Sequence, residues 1–390
     1  MFMTHSTFTP EFKALAHIIS SNNAKEAQKA LVGIDLETFL DLAVRHRVIG
    51  HVELALGDGR NIFSQQQAFN TLAAKHRDQV LKLIMEVNVI QSTLAHAAIE
   101  PIILKGPPLS FNLFGNAFIR HAGDLDWWIS ESEIPAAFTL LTNIGYQEKT
   151  LFNTLTPTNW SFLRKVRHDL VFIHKQTKQI NEVHWQVYEL DSVFPKKLAL
   201  QMQMRAITYP FGEMRIRMLS AEDQFLYLCN HGSRHRWSSL HWLLDVYQFL
   251  RSDSAVDLNT IANIANEYGL LNQVNLAIVL CNTLFGSQYP PIGKYSPLMM
   301  DWLRKKCLAM LQLDAASVRK LDIAHYRFSD VIYFFVLRPN FGLFAEYTFM
   351  VWLDPSIWQY LQLPEKFFWL YIPLRPFNRI IKWLNTKNRN

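Results

Sequence analysis

The chain has 390 residues, 49% of them hydrophobic and 18% charged, with a net charge of +6. That is enough sequence for a large core and two domains. Only 14 glycines argue against a Gly-rich sandwich, a collagen or a flexible linker array, and three widely spaced cysteines (Cys229, Cys281 and Cys307) exclude a disulfide frame and point to a reducing compartment.

The N-terminal MFMTHSTFTPEFKALAH lacks a basic start followed by an apolar run, so no signal peptide is expected. LETFLDLAVRHRVIGHVELAL places Phe39, Leu40, Leu42, Ala43 and Val48 at helical spacings, and SQQQAFNTLAAKHRDQVLKLIMEVNVIQSTLAHAA reads as one long helix with no Gly or Pro inside. At Glu100-Pro101 the pattern changes. PIILKG reads as a buried strand closed by a Gly-Pro-Pro turn, LSFNLFGNAF as one or two helical turns, and GDLDWWIS as a second strand. ESEIPAAFTLLTNIGY follows as a helix that Gly145 stops. HDLVFIH and INEVHWQVY are two further strands, separated by a polar turn. After Leu219 the chain returns to helix. There SAED resembles a capping box, with Ser220 as the cap and Asp223 in place of Glu. No apolar run reaches the roughly 18 residues of a membrane-spanning helix. The nearest, FGLFAEYTFMVWL, is interrupted by Glu346.

Asp124 and Asp126 carry the first functional signal. In a strand, residues two apart share a face, so both carboxylates project together. Each raises the other's pKa unless something neutralises them, and a divalent cation is the usual solution. The apolar flank of Leu125, Trp127, Trp128 and Ile129 does not suit a solvated loop. Arg120 stands four residues before Asp124, where it could offset the charge or grip a phosphate. In INEVHWQVY, Glu182, His184 and Gln186 share one face, and Val183, Trp185 and Val187 form the core face. If the two strands are neighbours, Glu182 completes a three-carboxylate site for Mg²⁺ or Mn²⁺ that suits phosphoryl or nucleotidyl transfer.

Taken together, ILKGPPL, GDLDWWI, EVHW and HGSRHRWSSLHWLLD resemble a bacterial family of uncharacterised nucleotidyltransferases within the polymerase-β-like superfamily. The resemblance runs from about Leu36 to Lys382 and takes in LAVRHRV and WLYIPLRPFNRIIKW. It implies an α+β fold with a mixed sheet of about four to five strands. The organisation it implies is a helical region over 1–100, a nucleotidyltransferase core over 101–215, and a helical C-terminal domain over 216–390. It also implies that Asp124, Asp126 and Glu182 are catalytic and hold the metal, while Lys105, Gly106, Arg120 and Arg234 bind an NTP substrate. Pro107 departs from the pattern, standing where the superfamily has Ser or Gly.

The segment HGSRHRWSSLHWLLD packs His231, Arg234, His235, Trp237, His241 and Asp245 together. Three readings apply: helix packing, a zinc site on the i, i+4 pair His231 and His235, or a substrate rim with Trp237 stacking on a base. His168 and His184 are further rim candidates. The C-terminal IWQYLQLPEKFFWLYIPLRPFNRIIKWLN mixes aromatic and basic residues, which suits either packing onto the protein's own helices or peripheral contact with the inner face of a membrane. No nucleic-acid motif is visible. The function expected is Mg²⁺-dependent transfer of a nucleoside monophosphate from an NTP to an unidentified acceptor, in the cytoplasm. The alternative is a non-catalytic nucleotide- or partner-binding protein of the same fold, associated with surface-polymer or peptide natural-product biosynthesis.

Overall fold

The computed structural model describes residues 8–21, 23–57, 66–149, 160–161, 163–164, 167–252, 256–318, 328–352, 363–374 and 377. Helices open the chain: α1 (Pro10–Ser20), α2 (Ala24–Lys29), α3 (Leu36–Arg45), α4 (Ile49–Leu56) and α5 (Gln66–Ala95). The stretch with helical spacings from Leu36 to Leu56 is divided between α3 and α4. Two bonds close α3, from the Arg47 N–H to Val44 O (3.0 Å) and from the Val48 N–H to Ala43 O (2.9 Å). They turn Arg47 into the left-handed region at φ +58°.

The sheet has seven strands, more than the expected four to five: β1 (Ile102–Ile103), β2 (Leu125–Trp128), β3 (Tyr146–Glu148), β4 (Asp169–His174), β5 (Ile180–His184), β6 (Ile207–Phe211) and β7 (Met214–Met218). Their order is β3-β4-β5-β2-β1-β7-β6, with β1–β7 and β2–β5 parallel and the other pairs antiparallel. The four strands expected from the sequence are β1, β2, β4 and β5. Two of the additional ones lack a strong apolar signal, whereas β7 alternates Met214, Ile216 and Met218 with Arg215 and Arg217. β3 has only three residues, and β6 is an edge strand with exposed positions and Pro210. Gly212, at φ +60°, turns the β6–β7 hairpin.

Connecting helices are α6 (Pro107–Phe114), α7 (Ile134–Asn143) and α8 (Lys196–Met204). Leu83, Val87, Ile90 and Leu94 of α5 share one buried cluster with Leu125 and Trp127 on one face of β2. Asp126 is on the opposite face, and there α9 (Ala221–Arg234) and α10 (Leu240–Arg251) close over the sheet. The Ser220 side chain caps α9 at the Asp223 N–H, 3.4 Å away. Asp223 does not return the bond; its short carboxylate pairs with Arg205 instead, at 2.7 and 2.9 Å.

Beyond α10 come α11 (Leu258–Tyr268), α12 (Leu271–Phe285), α13 (Pro297–Leu311), α14 (Phe328–Leu337) and α15 (Gly342–Trp352). The N-terminal helices form a second cluster, in which Leu15, Phe39 and Val52 pack with Leu240, Leu244 and Leu311 from this later part of the chain. Glu346 of α15 accepts a bond from the Ser192 N–H at 3.0 Å, which ties that apolar helix to the protein. No described helix is long and apolar enough to cross a membrane. The basic tail carrying Arg379, Lys382, Lys387 and Arg389 lies outside the described residues.

Candidate functional site

Pairing of β2 with β5 assembles the acidic centre. The register sets Asp126 beside Glu182 and Trp128 beside His184, so residues nearly 60 apart in the chain meet on one face. Asp124 lies just before β2, at the same end of the sheet. One ligand atom each from Asp126, Glu182 and His184 lies within 4.8 Å of the others. Lys105, at the exit of β1, brings its Nζ to 3.0 Å from Asp126 Oδ1. His184 Nε2 is 3.3 Å from the same oxygen and 3.7 Å from Glu182 Oε2.

These contacts divide the carboxylates. Burial alone would raise the Asp126 carboxyl, but the Lys105 charge and the His184 bond outweigh it and hold that group well below the usual carboxylate range. Asp124 is pushed up, first by burial and then by the charge of Asp126. Glu182 is pushed up to about 9 by burial and by Asp126, Asp124 and Asp169. Lys105 balances Asp126, and Glu182 keeps its proton until a cation takes that proton's place. The oxygen-rich donor set of the centre fits Mg²⁺ or Mn²⁺.

The surrounding cavity has a volume of about 280 Å³. Its walls include Lys105, Gly106, Arg120, Asp124, Asp126, His168, Glu182, His184, His231, Arg234 and His235, so these residues from distant segments are brought together. Gly106, at φ +90°, turns the chain from β1 into α6, and a Cβ there would touch Leu125. Pro107 and Pro108 begin α6, so two of the N–H groups that a helix N-terminus normally offers are missing.

Trp237, Trp242 and Arg120 occupy places the sequence did not foresee. Trp237 is absent from the cavity wall. It is fully buried, packed so tightly on Gly232 that a Cβ at that glycine would lie 2.3 Å from its ring. It has no free face for a base. Trp242 lines the cavity instead, with its ring 4.9 Å from that of His235 in a stacked arrangement. Arg120 reaches the cavity, but its Nε donates to both Asp245 oxygens, at 2.8 and 3.1 Å, with both side chains buried. It braces the loop leading to Asp124 rather than offering a free guanidinium.

Arg234 is likewise held. Its Nη1 is 3.1 Å from His168 Nε2, and its guanidinium lies 4.7 Å from the centre of the Tyr188 ring. Burial keeps His121, His231 and His241 well below the ordinary imidazole pKa, so all three are neutral at pH 7. The His231 and His235 rings are 4.8 Å apart. Among the described residues, however, the one metal-capable trio is Asp126, Glu182 and His184, so the zinc reading lacks a third ligand.

Further wall residues escaped the sequence reading: Arg47, His121, Asp169, Val187 and Tyr227. β5 ends at His184, and Val187 beyond it is buried in the main core cluster, as expected, while also touching the cavity wall. The signal for Arg47 was its place in LAVRHRV, which read only as helix.

A family model described as an uncharacterised nucleotidyltransferase matches residues 33–286, well over half of the chain. The chain belongs to that family. The match spans Arg47, the Lys105-Gly106 turn, the three carboxylates and the histidine segment through Asp245. No curated protein and no solved structure gives a significant match.

Proposed function

We propose that the protein transfers a nucleoside monophosphate from an NTP to an acceptor, and that Asp124, Asp126 and Glu182 hold the required cation. The observation that carries this reading is the buried carboxylate cluster beside the Lys105-Gly106 turn, in a chain of a nucleotidyltransferase family. A bound Mg²⁺ or Mn²⁺ would neutralise the phosphates and make the acceptor hydroxyl more acidic. Gly106 lets the backbone approach the triphosphate, and Lys105 supplies a point charge between it and Asp126. The acceptor oxygen bonds to the α-phosphorus, the bond to the β-phosphate bridge breaks, and pyrophosphate leaves. Glu182 takes the proton of the acceptor hydroxyl. Lys105 and Arg234 oppose the charge that develops.

Asp126→Asn should abolish metal-dependent release of pyrophosphate from a panel of the four NTPs while leaving the fold intact by circular dichroism. Wild-type activity in that variant refutes the site. A second reading, nucleotide binding without turnover, is favoured by the missing N–H donors at Pro107 and Pro108. Calorimetry with each NTP, paired with the pyrophosphate assay, separates the two, since binding without pyrophosphate release supports the second.

A further inference from the structure

Four cations line the cavity: Arg47, Lys105, Arg120 and Arg234. Three are committed, Lys105 to Asp126, Arg120 to Asp245, and Arg234 to His168 and Tyr188. Arg47 is exposed and, among the described residues, makes no ion pair. Its neighbour Arg45 is tied to Leu313 O at 3.0 Å.

The backbone at Arg47 is the second observation. The bonds from the Arg47 N–H to Val44 O and from the Val48 N–H to Ala43 O form the paired closure of a helix in which the left-handed residue is usually glycine. An arginine at φ +58° is strained there. The helix ending alone would favour glycine, so the fold does not explain the side chain.

The location is the third. Arg47 bears on His121 and Asp124, which belong to the loop between α6 and β2. That loop is pinned to α6 at Ser110, where the Arg120 N–H donates to Ser110 Oγ at 3.0 Å and Ser110 Oγ–H donates to Asn116 O at 2.7 Å. Arg47 lines the same cavity as Gly106, the residue that leads into α6. That helix start lacks the N–H groups of Pro107 and Pro108, so an anion held there needs side-chain donors. A guanidinium offers a planar fork that matches phosphate oxygens.

Accepting the nucleotidyl-transfer reading above, we infer that Arg47 is a binding residue for the triphosphate of the donor nucleotide, reaching from the N-terminal helices to replace the donors that the two prolines remove. The test uses full-length wild type, Arg47→Gly and Arg47→Lys. Thermal midpoints and the affinity for inorganic tripolyphosphate with Mg²⁺ are measured for each, the latter by calorimetry at low salt. Arg47→Gly should keep or raise the midpoint, because glycine suits the left-handed position. Its tripolyphosphate affinity should fall by about tenfold to a hundredfold, the range for a lost charged hydrogen bond. Arg47→Lys should fall in between.

Equal affinity in Arg47→Gly and wild type overturns the inference. So does a midpoint lowered by several degrees, which would assign Arg47 to the fold. Wild type that binds no tripolyphosphate overturns the nucleotide reading as well, and that result is distinguishable because it appears before any substitution.

Discussion

Arg120 and Asp245 offer the sharpest test of what braces the site. In Asp245→Ala the Arg120 guanidinium loses its 2.8 and 3.1 Å bonds, with its side chain only 3% exposed and that of Asp245 0%. The remaining contact, from Nη1 to His121 O at 3.3 Å, cannot replace them. Stranding a buried charge in this way costs about 3–5 kcal/mol, a large share of the roughly 5–15 kcal/mol that stabilises a typical domain. Urea unfolding, followed by fluorescence, should show that loss. The double variant Arg120→Leu with Asp245→Leu should recover most of it, because both charges leave the interior together. The Arg120 N–H also holds Ser110 Oγ at 3.0 Å, so the single variant should loosen the loop carrying His121 to Asp124 and weaken metal binding. A destabilisation below about 1 kcal/mol in Asp245→Ala would refute the bracing role. It would return Arg120 to the set of free phosphate-binding cations.

Glu182, pushed up to about 9, keeps its proton at neutral pH in metal-free protein, and a cation that binds there must expel it. Affinity for Mn²⁺ should therefore rise by about tenfold per pH unit as pH increases from 6 to 8, and calorimetry in buffers of different ionisation enthalpy should count about one proton released per ion. An affinity independent of pH would contradict that assignment. Gly232→Ala should destabilise the fold by about 1–3 kcal/mol through overpacking against the Trp237 ring, read as a lower denaturation midpoint. An unchanged midpoint would show that Trp237 is not the wedged core residue described.

Local sequence was informative where the signal is short-range. The long uninterrupted pattern before residue 100 reads as a helix and forms α5. The apolar runs at 102–103, 125–128, 169–174 and 180–184 read as strands and form β1, β2, β4 and β5. The D-x-D spacing marked a carboxylate pair, and both groups reach the cavity although Asp124 stands just before the strand that carries Asp126. β3 and β6 were harder to see, since a three-residue strand and an exposed edge carry little apolar periodicity.

The site depended on contacts that sequence proximity does not encode. The β2–β5 register alone places Glu182 beside Asp126. Arg120 looked like a phosphate ligand until Asp245, 125 residues away, was found holding it. Trp237 and Trp242 have the same aromatic chemistry, and the helix break at 235–239 decides which one is buried against Gly232 and which faces the cavity. Arg47 lay in a stretch read only as helical, and the left-handed turn that ends α3 sets it on the cavity wall. The residue types that could hold a cation and a phosphate were thus legible in the chain itself. Which of them remain free to do so was decided by tertiary packing, because a buried charge must take whatever partner the fold brings within reach.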